Sequence, residues 1–300
     1  LPLMYRAKNV VVAGDNKQLR PTSVFMKRYM GADVEENIDP TTEAALEVES
    51  LLDLATSRLP AVNLNYHYRS KNEELIDFSN NYFYDGKLEI VPNLVGSKKN
   101  GAIARIKVNG KWIDRRNDAE AKKVVEILKD TLKNRKNKES VGIITFNSEQ
   151  SYAIEEAIRK ECKNDPWFAE AILMEQNRFD NNVDTSLFIK NIENVQGDER
   201  DVIILSVGYA YNDKGKVVAN FGSLSSEGGE NRLNVAITRA KERTFVVTSI
   251  EPEELNVENT KNEGPKIFKK YLSYVRAVAN NNKQEAKIWL NNKKESVNDE

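Results

Sequence analysis

The sequence predicts an α/β fold, a parallel sheet covered by helices on both faces. Short apolar runs alternate along the chain with segments of helical period, the pattern of strands joined by crossover helices. The first of these runs ends in glycine, as a central parallel strand often does before its loop. With 40% apolar residues in 300, the chain can bury one large core, or one large and one small.

The elements follow in order. Asn9-Val10-Val11-Val12-Ala13-Gly14 reads as a central parallel strand. Residues 26–42 are polar and turn-rich and read as loop or linker. From Glu43 to Ser57, the residues Ala44, Val48, Leu51 and Ala55 fall on one helical face. A second start follows near Leu64. Beyond it, strands are expected at 102–108, 141–146, 186–192, 201–208 and 244–250, with helices at 71–83, 118–134, 148–162 and 230–241. Asn117 is placed to cap the helix at 118, with Glu120 three residues on as a variant capping box. Its inner face is expected to be Ala121, Val124, Val125, Leu128 and Leu132. Residues 163–184 show no clear period and read as an insertion or long loop. The Asn/Lys/Glu-rich tail after Asn280 carries a short helix at Ala286, Ile288, Trp289 and Leu290.

Composition excludes several function classes. Lys and Arg number 45 against 46 Asp and Glu, a net charge of -1, so nucleic-acid binding would require a local basic groove. The single cysteine, Cys162, excludes an internal disulfide. The single histidine, His67, leaves few options for a His/Cys metal site, and no metal ligand set is read. No apolar run is long enough to cross a membrane and no signal peptide opens the chain, so a cytoplasmic location without a membrane partner is expected. The opening Leu1-Pro2-Leu3-Met4, running at once into a buried-looking strand, is expected of a piece cut from a longer chain.

Four segments carry candidate chemistry. Gly14-Asp15-Asn16-Lys17-Gln18-Leu19-Arg20-Pro21 puts a carboxylate and an amide after a strand, where α/β sheets bind ligands; alone it reads as a plain turn, with Asp15 and Pro21 as turn formers. Leu64-Asn65-Tyr66-His67-Tyr68-Arg69-Ser70 pairs a ring that can stack with a guanidinium that can reach phosphate; alone it is an exposed strand end. Asn194-Val195-Gln196-Gly197-Asp198-Glu199-Arg200-Asp201 allows a close backbone approach at Gly197, or is a charged turn. In Asn231-Arg232-Leu233-Asn234-Val235-Ala236-Ile237-Thr238-Arg239-Ala240-Lys241, a helix buries Leu233, Ala236, Ile237 and Ala240. Arg232, Arg239 and Lys241 lie off that face, as fingers or as a basic solvent face.

In this order, the four segments resemble motifs III, IV, V and VI of superfamily 1 helicases, closest to the 1B group, over the stretch from Val10 to Ile250. A finer likeness, to large bacterial helicase-like proteins often followed by an endonuclease-like domain, rests on 190–201, 220–224, 227–230 and 269–276. The resemblance implies a RecA-like, P-loop NTPase second motor lobe at 61–276. A remnant of the first lobe and a linker would occupy 1–60, and 277–300 would be a tail leading to a further domain. It implies that Asp15 and Gln18 sense the γ-phosphate and attacking water, Tyr68 stacks on adenine, and Arg69 touches the γ-phosphate. Gly197 and Glu199 would lie near the ribose or magnesium shell, and Arg239 would be the main arginine finger.

No G-x-x-x-x-G-K-[ST] occurs. ATP and Mg²⁺ would therefore both need a phosphate cradle and an acidic strand expected before Leu1, and the fragment is expected to be inactive alone. Partners implied are single-stranded or duplex DNA or RNA, the N-terminal motor lobe of the same chain, and a nuclease-like domain after Glu300. Nucleic acid would meet Thr145, Asn147 and Ser148 at a strand-to-helix junction, which reads equally as an ordinary capped helix. The rival class is a non-catalytic helicase-like module that binds nucleic acid or protein without turnover.

Overall fold

The structure, a computed structural model, describes residues 6–19, 50–90, 101–217 and 221–291. The chain divides into two compact units, Leu1–Leu64 and Asn65–Glu300.

In the first unit, helix α1 (Leu51–Arg58) starts at Ser50, whose hydroxyl accepts the Asp53 amide at 3.1 Å. Gly14 leaves room for Leu52, whose Cδ2 would stand 2.9 Å from an added Cβ. The strand expected at 9–14 is not formed. A lone apolar run has no ladder to join, and Val11 is 91% exposed. The loop expected at 26–42 and the start of the helix expected at 43–57 lie outside the described residues.

In the second unit, short β1 (Tyr66–His67) and β2 (Glu89–Ile90) form a parallel pair. The main sheet is built of β3 (Ile103–Lys107), β4 (Val141–Thr145), β7 (Phe188–Asn191), β8 (Arg200–Ser206) and β9 (Ala240–Thr248). Its five strands lie in the order β3–β9–β8–β4–β7, every neighbouring pair parallel. Val141, Ile143, Val202, Ile204 and Val247 join one core with α3 (Asp118–Asn134), α4 (Ser148–Asn164) and α5 (Pro166–Gln176). The alternate residues Ile144, Ile203, Leu205 and Val246 are equally buried, so the sheet is covered on both faces. Helix α7 (Glu263–Ala279) packs along β3. Asn117 caps α3 by accepting the Glu120 amide at 3.1 Å, and the expected inner face of α3 is buried throughout. The tail helix is formed as α8 (Lys283–Asn291).

Four local expectations are corrected. Residues 163–184 are not a long loop: Asp165 caps α5, and β5 (Phe179–Asp180) pairs antiparallel with β6 (Val183–Asp184). Asn181 and Asn182 turn that hairpin with φ 51° and 63°, which asparagine tolerates well. The helix expected at 71–83 breaks at Ile76 into a short turn and α2 (Asp77–Phe83). There the Tyr274 hydroxyl donates to the Glu74 carbonyl, and the Glu74 carboxylate accepts the Ala102 amide.

The helix expected at 230–241 is α6 (Gly229–Ile237), shorter by four residues at its end. The Thr238 hydroxyl bonds Asn234 O and the Arg239 Nε bonds Val235 O, so side chains close the helix before β9 begins at Ala240. β9 itself spans Ala240–Thr248 where 244–250 was expected. Among the described residues, no helix is long and apolar enough to cross a membrane.

Candidate functional site

Because the strands are parallel and nearly in register, the sheet has two distinct edges. Arg200 lies opposite Ala240 at the amino edge; Thr145 lies opposite both Ser206 and Asn191 at the carboxyl edge. The sequence-predicted residues of the second unit divide between these edges.

At the amino edge the second, third and fourth segments converge. The Ser70 hydroxyl donates to Ala240 O at 3.4 Å and the Lys71 amide to Lys241 O at 2.7 Å, pinning Arg69 beside the start of β9. His67 Nε2 accepts the Ser70 amide at 3.1 Å, closing the turn that carries Tyr68 and Arg69. Burial, and then the Arg69 charge, lower the His67 pKa to about 4, so the ring is neutral and free to accept. Tyr68 is 86% exposed.

Arg69 Nε donates to Glu199 Oε2 at 2.6 Å, and Lys241 Nζ lies 2.9 Å from Glu199 Oε1. Burial works against the Glu199 charge, but hydrogen bonds from Lys241 and Arg69 outweigh it and hold the carboxyl below its usual range. Glu199 thus stands between two cations. Gly197, two residues before it, has φ +89°, a conformation costly for other residues, with open space where a Cβ would be.

Arg239 is not on a helix and not on a solvent face. It is 2% exposed, between α6 and β9. Its guanidinium donates to Val235 O (2.7 Å), Asp198 O (3.3 Å) and Thr238 Oγ1 (2.9 Å). No carboxylate is among these partners. Burial, and then the Arg69 charge, push its pKa down to about 10. The guanidinium charge is thus desolvated and met, among these partners, by neutral oxygens alone.

At the carboxyl edge, the Asn147 side chain accepts the Gln150 amide at 2.7 Å and starts α4. Exposed Ser148 accepts from Asn191 Nδ2 at 3.1 Å. Thr145 departs from its expected role: it is fully buried, and its hydroxyl bonds Asn147 O (2.7 Å) and Ser151 Oγ (2.6 Å). A strand ending inside the sheet turns that side chain inward, where it supports the turn and presents nothing to a ligand.

Asp15 and Gln18 are described within the first unit. Gln18 Nε2 donates to Asp15 Oδ2 at 2.9 Å and the Lys17 amide to Asp15 Oδ1 at 2.8 Å, so the two candidates are held together. Among the described residues, no group of three or more His, Cys, Asp or Glu could hold a metal.

Two features escaped the sequence reading. Lys241 shares Glu199 with Arg69, a contact across more than forty residues without local signal. Glu120, read as a capping partner, is fully buried at the carboxyl edge. It accepts from Gly208 N (2.7 Å), Ser206 Oγ (2.9 Å) and Ser249 Oγ (3.0 Å), and burial outweighs these bonds to raise its pKa to about 7.

The AAA domain family matches residues 47–251. An "uncharacterized ATP-dependent helicase" of Mycoplasma genitalium is 39% identical over 284 residues, covering 94% of this chain and 24% of that protein. The "probable helicase senataxin" of Mus musculus is 30% identical over 267 residues, 82% of this chain and 9% of that protein. The crystal structure of the C-terminal domain of a possible DNA helicase from Lactobacillus plantarum covers 66% of this chain and 96% of its own, at 16% identity and a TM-score of 0.36. The chain thus spans about a quarter of the length of the mycoplasmal relative it matches.

Proposed function

Because the chain belongs to the AAA domain family, among its superfamily 1 helicases, we propose that residues 61–276 are the second motor lobe of an ATP-dependent helicase or translocase. In this reading the amino edge faces the nucleotide and the carboxyl edge faces nucleic acid. One observation carries it: the buried Arg239 guanidinium, bonded only to neutral oxygens among its partners, beside Arg69 on the same edge.

ATP fits this donor set. Arg239 and Arg69 supply planar forks to the oxygens of the transferred phosphoryl, where negative charge spreads in the transition state. Tyr68 offers an exposed ring for the base, and Gly197 a backbone that can approach the sugar. Glu199 stands among the same residues. Asp15 and Gln18, held together by their own hydrogen bond within the first unit, are read as a sensor pair. A magnesium ion, when bound with ATP, neutralises phosphate charge; a P-loop and an acidic strand outside residues 1–300 would hold it, since this sequence contains no G-x-x-x-x-G-K-[ST]. Asn147 and Ser148 with the start of α4 would meet a nucleic-acid phosphate.

The experiment is ATP turnover by the full-length protein with single-stranded DNA or RNA, comparing wild type with Arg239→Ala and Arg69→Ala. Loss of turnover with nucleic-acid affinity retained supports the motor. Nucleic-acid binding without any turnover in the wild type would make the chain a binding module instead.

A further inference from the structure

Glu199 bridges two cations with separate oxygens, Arg69 on Oε2 and Lys241 on Oε1. All three side chains are about one-third exposed, so the carboxylate is partly desolvated and keeps its charge through these partners. If Arg69 is to turn the Nε edge of its guanidinium to a phosphoryl group, that nitrogen must leave Glu199 Oε2. The cost of that departure depends on what else neutralises the carboxylate. Lys241 sits on the strand side of the cluster. Its backbone carbonyl accepts the Lys71 amide at 2.7 Å, which holds its Cα in place, and its ammonium lies 2.9 Å from the Glu199 oxygen that Arg69 does not use, within reach of the carboxylate while the Arg69 side chain swings.

We propose that Lys241 is a positioning residue of the nucleotide site. It retains Glu199 and so releases Arg69 to the transferred phosphoryl. The inference rests on the motor reading given above. An ion pair of this exposure holds its partner by a modest free energy, so doubling the demand on Arg69 by removing Lys241 changes availability severalfold and not a thousandfold. Since the Arg69 contact strengthens as charge develops, the effect falls on kcat and not on KM for ATP.

The test is a double-mutant cycle in the full-length protein, with kcat and KM for ATP measured in saturating single-stranded nucleic acid. Lys241→Met is expected to lower kcat about fivefold with KM little changed, and Lys241→Arg, which can still pair with Glu199, to recover most of the loss. In a Glu199→Gln background the carboxylate no longer retains Arg69, so adding Lys241→Met there should cost nothing further. Equal losses from Lys241→Met in both backgrounds would overturn the proposal, as would an unchanged kcat in Lys241→Met. Lys241→Gln repeats the measurement should the methionine variant unfold. Arg69→Ala separates the two levels: a wild-type kcat in that variant removes the site reading itself, whereas a collapsed kcat together with additive Lys241 and Glu199 effects removes only the role of Lys241.

Discussion

The Gly208 amide donates to Glu120 Oε2 at 2.7 Å, joining the end of β8 to the first turn of α3 across 88 residues of chain. Asn117 Nδ2 and the Ser249 hydroxyl reach the other carboxylate oxygen at 3.3 and 3.0 Å, so the group ties three segments at the carboxyl edge. Burial raises its pKa from 4.5 to about 7. The folded protein therefore keeps a proton that the unfolded chain releases above pH 4.5. Stability from this group is full below that pH and is lost as pH rises through about 7, by at most about 3 kcal/mol. Asp77, raised to about 7 chiefly by burial, acts with the same sign. Urea unfolding between pH 4.5 and 8 should show wild type losing stability relative to Glu120→Gln and Asp77→Asn. Parallel curves for all three would remove these carboxyls as the cause.

Arg239→Ala in the full-length protein should lower kcat for ATP on the order of a thousandfold while single-strand Kd changes little. Arg239→Lys should recover little, since an ammonium cannot make three hydrogen bonds in the guanidinium plane. Near-normal kcat combined with lost nucleic-acid affinity would make this position part of a binding surface.

Tyr68→Ala should raise the KM for ATP more than it lowers kcat, because stacking on a base serves ground and transition states alike. At 86% exposure the ring has little packing to lose, so stability should stay within about 0.5 kcal/mol of wild type. A fall in kcat at constant KM contradicts the assignment.

Ser148→Asp tests the carboxyl edge. An aspartate in the first turn of α4 suits the helix dipole and should leave stability equal or slightly raised. It should weaken single-strand binding about tenfold at low salt through repulsion of phosphate, with the effect shrinking as salt rises. Unchanged affinity would place the nucleic acid elsewhere.

Periodicity made the sheet strands and α3 legible, because continuous apolar runs and a capped amphipathic helix are local signals. The run at 9–14 has the same composition, yet a strand exists only where a neighbour offers its ladder, which no local pattern reports. Arg239 was readable as a candidate but not as buried, since the helix closes on its own side chains at Thr238 and Arg239 rather than on a glycine or proline. Thr145 matched a junction pattern whose inward turn is decided by the sheet. Lys241 and Glu199 meet only once β8 and β9 lie side by side.

Eight residues, 192–199, lead from the end of β7 to the start of β8, on opposite edges of the sheet and on either side of β4. The distance to be crossed is roughly 20 Å along the strands plus two strand spacings, about 10 Å, sideways. Two turns, closed by the Asn194 amide on Asn191 O and the Asp198 amide on Val195 O, consume part of the available reach. Ile192 and Val195 anchor the middle by complete burial. The segment is therefore a cord with little slack. It begins at Asn191, which holds the Ser148 hydroxyl, and finishes at Glu199, which holds Arg69. Two buried anchors thus fix where the segment lies, and a two-glycine insertion between the exposed Glu193 and Asn194, which opens the turn on Asn191 O, should lower stability to urea.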